Sequence, residues 1–341
     1  MNADKLIYPE LSSFESADAG SGFFGLDHKP SDALIQVLPV AWEGSTSQGS
    51  GASACFPFLQ SASHYVDLHH ERYGSAYRAG IACNDQMLSF SKQVQAKCKD
   101  GDKATVRDQL YASILNELKK QTKTVLKQGS IPVVVGGDHS VPLGAMLAID
   151  DGVSAQGQEW GILHLDAHLD MRRSYEGMQN SHASIMYHVS QNARSLRGLV
   201  SVGIRDYCRE EILHAGSISA HVLSDRKMRR RLAQGKSLSD VFAAAIKKLP
   251  EKVYLSFDID GLDMTLCPST GTPVPGGLLF HEMQLLLDLV VESGREVVGA
   301  DLCEVVCVGG SPHESVDAIV GARVLWELCN AAIASRIGNF V

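Results

Sequence analysis

No stretch of the 341-residue sequence reaches the roughly 18 uninterrupted apolar residues that a spanning helix needs. A membrane-embedded chain is therefore not expected. The opening residues, MNADKLIYPELSSFESADAG, lack both a basic and an apolar segment, so no secretory leader is read there. Basic residues are in the minority. The 31 Lys and Arg against 39 Asp and Glu leave a formal charge of -8. That balance gives no footprint for nucleic acid or an anionic membrane, but it suits a cationic ligand. The eight cysteines form no C-x-x-C pair, and only Cys303 and Cys307 lie close together. Buried, reduced thiols in a cytoplasmic protein are expected. The turn glycines of VGG (135–137) and PGG (275–277) are not followed by Gly-Lys-Ser/Thr, and neither Ser140 nor Ser181 sits in a nucleophile elbow. This removes a phosphate loop and a serine triad. Charged residues make up only 21% of the chain and hydrophobic ones 45%, which excludes disorder.

What is present is an alternation. Residues 1–32 read as a polar N-terminal extension, and 33–341 as one α/β domain. Short apolar runs recur at 33–42, 131–135, 160–166, 199–204, 218–223, 253–259 and 296–302, each closing on a polar cluster. Residues 105–128 place Leu110, Ile114, Leu115, Leu118 and Val125 near helical spacing, and Gly129 ends the pattern. Further helices are predicted at 181–196, 236–248 and 281–293. Strands apolar on both faces and separated by helices predict a mostly parallel sheet covered on both sides.

Four motifs follow these runs or open the next helix: GGDHS (136–140), DAHLD (166–170), SHAS (181–184) and DID (258–260). The carboxyl ends of parallel strands are where such sheets bind ligands. Asp166, His168 and Asp170 are spaced by two, as are Asp258 and Asp260, so each set shares one face of an extended segment. Clustered carboxylates repel one another, and bound cations are the ordinary remedy. Four aspartates with His139 and His168 suit hard or borderline divalent ions, Mn²⁺ ahead of Zn²⁺, Ni²⁺ or Fe²⁺. Six ligands fit two ions more naturally than one, in the manner of centres whose metals lie roughly 3.5–4 Å apart.

GGDHS, DAHLD, SHAS and SFDIDGLD, followed by PSTGTPVPGGL (268–278), resemble the ureohydrolase family of arginases and agmatinases. The likeness runs from about residue 33 to the end, and GSTSQGSGAS (44–53) is similar to the family's first loop. The resemblance implies a three-layer α/β/α sandwich around an eight-stranded sheet, and a trimer or hexamer. It implies one metal held by His139, Asp166, Asp170 and Asp258, and another by Asp166, His168, Asp258 and Asp260. His182 would be the catalytic histidine, Glu304 the carboxylate gripping a guanidinium, and Asp260 an aid to proton transfer. The implied reaction hydrolyses a small guanidino substrate to urea and an amine. Agmatine leads as substrate, with arginine or a guanidino acid behind it.

The chain also departs from that pattern. Met264 stands where the family usually has proline, and MRRSYEGMQNS (171–181) lacks the Ser-Gly-Asn-like stretch with which arginases read an amino-acid head group. Glu176 is a partner for an agmatine amine if it faces the site. Arg172 and Arg173 read as a structural or surface pair, although they would suit a carboxylate tail. His164 reads as a hydrogen-bonded core histidine and Asp138 as support for the GGDHS turn. His188, His281 and His313 have no motif around them. KMRRR (227–231) reads as a solvated helix face. A single-metal deacetylase and a non-enzymatic family member are the rival readings. Retention of all six ligands, His182 and Glu304 disfavours both.

Overall fold

The β-branched run IPVVV becomes strand because it has no polar face to offer water, and the same holds for its neighbours. The computed structural model describes residues 22–47, 50–99, 101–308 and 315–338. In chain order the elements are β1 (Ile35–Pro39), α1 (Phe56–Ser63), β2 (Ile81–Cys83), α2 (Gln86–Gln95), α3 (Ala104–Lys127) and β3 (Ile131–Val135). Then come α4 (Leu143–Ala155), β4 (Trp160–Leu165), α5 (Ile185–Asn192), β5 (Leu196–Val202), α6 (Arg209–Ser217) and β6 (His221–Leu223). The last group is α7 (Asp225–Ala233), α8 (Leu238–Ile246), β7 (Lys252–Phe257), α9 (Phe280–Glu292), β8 (Glu296–Leu302) and α10 (Val316–Ile337).

The eight strands form one sheet in the order β2-β1-β3-β8-β7-β4-β5-β6, and every pairing is parallel. On one face, Ile131, Val133, Leu163, Leu165, Val253 and Leu255 pack against α1, α8, α9 and α10. On the other, Val134, Ile162, Tyr254 and Val298 pack under α3, α4 and α5. The alternation along each strand is what makes three layers possible. These three layers around eight strands are what the resemblance implied, and the parallel sheet covered on both sides is what the pattern of apolar runs predicted.

Beside the shortening of the helix expected at 181–196 to Ile185–Asn192, with Leu196 already in β5, two features differ from the sequence expectation. The 33–42 and 218–223 runs contribute only Ile35–Pro39 and His221–Leu223 as strand, and β2 was not predicted at all. At three residues it is too short to show an apolar pattern. The other feature is α10, which is apolar all round. It is long and apolar enough to cross a membrane by composition, yet 78% of its most apolar window is buried. It is a core helix, filling the sheet face between α1 and α9. Within the span read as an extension, Phe23, Phe24 and Leu26 are buried, and the Phe24 ring lies 4.8 Å from that of Trp326 on α10. Residues 1–21 and His313 lie outside the described residues.

Candidate metal centre and active site

The four central strands, β3, β8, β7 and β4, end side by side, and their carboxyl ends carry the charged motifs. After β3 the chain must turn sharply against the exit of β1. Gly137 permits this: its φ is +54°, and a Cβ there would sit 2.1 Å from the Trp42 carbonyl oxygen. Asp138 N–H then donates to that carbonyl (2.8 Å), and His139 is carried over the sheet edge.

After β4, Asp166, His168 and Asp170 follow in extended phase, and Asp170 takes a left-handed φ of 53°. Its carbonyl accepts from Met186 N–H on α5 (2.9 Å), which fixes the bend. After β7, Asp258 opens a single 3₁₀ turn, and its Oδ1 accepts from Asp260 N–H at 2.9 Å. After β8, Glu304 also has a left-handed φ, 60°. Its N–H donates to the Gly137 carbonyl (3.0 Å) and its Oε1 accepts from His139 N–H (2.9 Å). The ends of β8 and β3 are thereby tied together, and the bond from Asp138 N–H to the Trp42 carbonyl adds the exit of β1.

The side chains converge in two overlapping sets. His139 Nδ1 lies 3.0 Å from Asp170 Oδ2, 3.1 Å from Asp166 Oδ2 and 3.5 Å from Asp258 Oδ2. His164 Nε2 lies 2.8 Å from the same Asp166 oxygen. Ligand atoms of His139, His164, Asp166 and Asp170 all fall within 4.8 Å of one another. So do those of Asp166, His168 and Asp260, with His168 Nδ1 3.1 Å from Asp260 Oδ2. Asp166 belongs to both sets. His164 is buried and also meets Ser201 Oγ (3.2 Å), as a core histidine should. It nevertheless reaches into the first set, which its i, i+2 phase with Asp166 could have signalled.

These groups are short of positive charge. Burial pushes the Asp258 carboxyl well above the ordinary range, and Asp260 and Asp166 add repulsion. Burial likewise raises Glu304, with Asp138 beside it, and Asp170, with Asp166 beside it. Asp166 goes the other way. Burial opposes its charge, but His164, His139 and His168 outweigh that and hold it well below the usual value. Burial also disfavours the His168 cation, yet Asp166 and Asp260 push its pKa up to about 12. Among the described residues no Lys or Arg pairs with these carboxylates; histidines alone oppose them. A cluster of four aspartates and two or three imidazoles without a thiolate is the donor set of a hard or borderline divalent cation, and sharing of Asp166 fits two.

A second wall comes from the loop after β1. His182, at the start of the 3₁₀ turn before α5, donates its N–H to Ser45 Oγ (2.9 Å), and its Nε2 lies 3.1 Å from Ser47 Oγ. The Tyr175 ring meets the His182 ring edge-on, with centroids 5.7 Å apart. Neither serine was singled out from sequence, because partners more than 130 residues apart leave no local pattern. Arg172 lies over the Tyr175 ring at 4.8 Å with Nε 3.7 Å from Glu211, and Arg173 lies 6.0 Å from the Tyr187 ring. Glu176 is exposed at the tip of a tight Tyr175–Met178 turn, with φ 48°. Met264 sits in an exposed turn that Asp263 stabilises by accepting from Thr265.

Comparison with known proteins identifies the family and the fold. The arginase family profile matches residues 33–330. The N(1)-aminopropylagmatine ureohydrolase of Thermococcus kodakarensis is 30% identical over 298 residues, covering 87% of this chain and 90% of that protein. The agmatinase of Pyrococcus horikoshii is 29% identical over 307 residues, covering 88% and 92%. Among solved structures, the proclavaminate amidino hydrolase of Streptomyces clavuligerus superposes with a TM-score of 0.74 at 22% identity. That match covers 94% of this chain and all of the other, and it shows the shared fold.

Proposed function

The chain belongs to the arginase family of hydrolases acting on guanidino compounds, and from that premise we propose that it releases urea from an agmatine-type substrate. The observation that carries this reading is the buried, cation-poor convergence of carboxylates at four adjacent strand ends. In it, His139, Asp166, Asp170 and Asp258 would hold one divalent ion, and Asp166, His168, Asp258 and Asp260 the other. Mn²⁺ is favoured by the oxygen-rich set. When bound, such ions neutralise the carboxylates and bring the pKa of water down toward about 7.

The chain's own residues supply the rest. Glu304, fixed through His139 N–H and Gly137, would orient the guanidinium by charge-assisted hydrogen bonds. His182 would deliver a proton to the departing amine. Asp260, anchored by Ala167 N–H at 3.0 Å, would assist that transfer without leaving its place. Burial of the aspartates keeps bulk water from competing with these contacts. The catalytic domain would span residues 33–341.

A cationic tail is preferred over a carboxylate tail because Arg172 and Arg173 are already engaged by Glu211, Tyr175 and Tyr187. Two curated relatives carry names of the agmatine type, one with an aminopropyl extension, which supports the same choice. The test is urea release after Mn²⁺ loading, with agmatine, N(1)-aminopropylagmatine, arginine and 4-guanidinobutyrate assayed side by side. The reading expects kcat/KM for one of the first two to exceed both of the others. A clear preference for arginine or guanidinobutyrate would overturn the assignment of the tail. Absence of urea from all four would overturn the assignment of the reaction.

A further inference from the structure

The loop that follows β1 is built with more care than a surface connection requires. Glu43 folds it back on itself, its Oε2 accepting from Gly51 N–H (2.8 Å) and Ser53 N–H (3.0 Å). Gly44 lies so close to the Trp42 ring that a Cβ would fall 2.1 Å from it, and its carbonyl accepts from Arg107 (3.1 Å). The next residue is locked to the metal-site turn. Asp138 is fully buried, and its Oδ2 accepts from both Ser45 N–H (2.9 Å) and Ser45 Oγ–H (2.7 Å), while Oδ1 accepts from Ser140 N–H (3.1 Å) and its hydroxyl. Ser45 Oγ uses its remaining capacity to accept from His182 N–H. Asp138, Ser45 and the His182 backbone therefore form one strut, from the residue beside His139 to the base of the His182 side chain.

Two residues further along, Ser47 Oγ meets His182 Nε2 at 3.1 Å, and it is the hydrogen-bond partner that the ring has among the described residues. His182 Nδ1 is buried and meets no protein acceptor or donor there. A neutral imidazole carries its proton on one nitrogen, and the hydrogen bond at the other nitrogen decides which. An imidazole with a single partner has its ring angle and its proton placement set by that partner.

We propose that Ser47, seated by the Asp138–Ser45 strut, is a positioning residue for His182 that fixes its ring orientation and tautomer. The inference rests on the proposed role of His182 in proton delivery. Ser47 forms no bond with substrate in this scheme; it acts through His182.

The test is a set of four proteins loaded with Mn²⁺: wild type, Ser47→Ala, His182→Ala and the double variant. Each is assayed for kcat, KM and metal content, with Ser47→Thr as the conservative rescue. Ser47→Ala is expected to lower kcat by about 10–100-fold, the usual cost of losing a supporting hydrogen bond, with KM and metal content unchanged. Ser47→Thr should recover most of kcat. The double variant should be no slower than His182→Ala, since Ser47 acts only through that ring. Histidine ¹⁵N spectra of the Zn²⁺-loaded proteins, with the His182 signals assigned from His182→Ala, give a readout independent of turnover. Ser47→Ala should move the His182 ring-nitrogen shifts. Additive losses in the double variant, wild-type kcat in Ser47→Ala or unmoved ring shifts would each overturn the proposal for Ser47. Full activity in His182→Ala would instead overturn the role given to His182.

Discussion

Two buried carboxylate environments in this molecule make opposite use of the same chemistry. Asp150, near the end of α4, accepts from Trp160 Nε1 (2.9 Å), Arg194 N–H (2.8 Å), Ser195 N–H (2.9 Å) and Ser195 Oγ–H (2.6 Å). Burial opposes its charge, but these neutral donors outweigh that, and its pKa is held below the ordinary value. Asp258, on the sheet edge, has the reverse balance: burial and its neighbours Asp260 and Asp166 push it up. The difference lies in the donors. Asp150 is surrounded by N–H and O–H groups, so its charge is complete within the fold. Asp258 stands among other carboxylates and shared imidazoles, an arrangement that a cation would complete. Buried acids alone do not mark a site; buried acids crowded by other carboxylates, with few donors, do.

The contrast can be broken in order of expected effect. Asp258→Ala should abolish turnover and lower the metal content from near two ions per chain, measured by elemental analysis. Wild-type rate and content would dissolve the distinction drawn here. Chelation of the wild-type protein should likewise remove activity, and Mn²⁺ should restore both activity and melting temperature. Ligand at about a hundredfold excess over its Kd stabilises by about 2.7 kcal/mol. His182→Ala should slow turnover by about 10²–10⁴ with both metals retained, so loss of metal would move His182 into the cation set.

Asp150→Ala should leave kcat alone but cost about 1–3 kcal/mol by stranding the Trp160 and Ser195 donors, read as a lower Tm. Its pH dependence has a definite sign. A depressed folded pKa contributes stability above the unfolded value of about 3.9 and loses it as pH falls through the folded one. The Tm gap between wild type and Asp150→Ala should therefore close below about pH 4. The smallest effect belongs to Arg230→Ala on the exposed face of α7, expected within about 0.5 kcal/mol of wild type and with unchanged kcat.

Local pattern carried the strands and the motifs, because both depend on neighbours in sequence. IPVVV, WGILHL and EVVGADL are apolar on both faces and lie in the centre of the sheet, where a parallel strand must be so. The aspartates of DAHLD and DID share a face because of the two-residue period, and that needed no tertiary knowledge. α8 and α9 fall within two residues of the expected spans. Where the chain folds by contact instead of period, sequence was silent. α10 has no polar stripe to announce it, and the partnership of Asp138, Ser45 and His182 joins segments 93 and 137 residues apart. His164 shows the limit in one residue. Its phase with Asp166 was visible, but its distance from His139 and Asp170 was not.

The strand order also governs when an active molecule can come into being. β8 is the last strand among the described residues, yet it sits between β3 and β7, which do not pair with each other. Until it is synthesised, the sheet exists as two separate halves, β2-β1-β3 on one side and β7-β4-β5-β6 on the other. His139 belongs to the first half, and Asp166, His168 and Asp258 to the second. Asp170 and Asp260 follow β4 and β7 as well, so the second half carries every aspartate of the cluster and lacks His139 and Glu304. β8 joins the halves by pairing with both β3 and β7, and it brings Glu304 alongside His139.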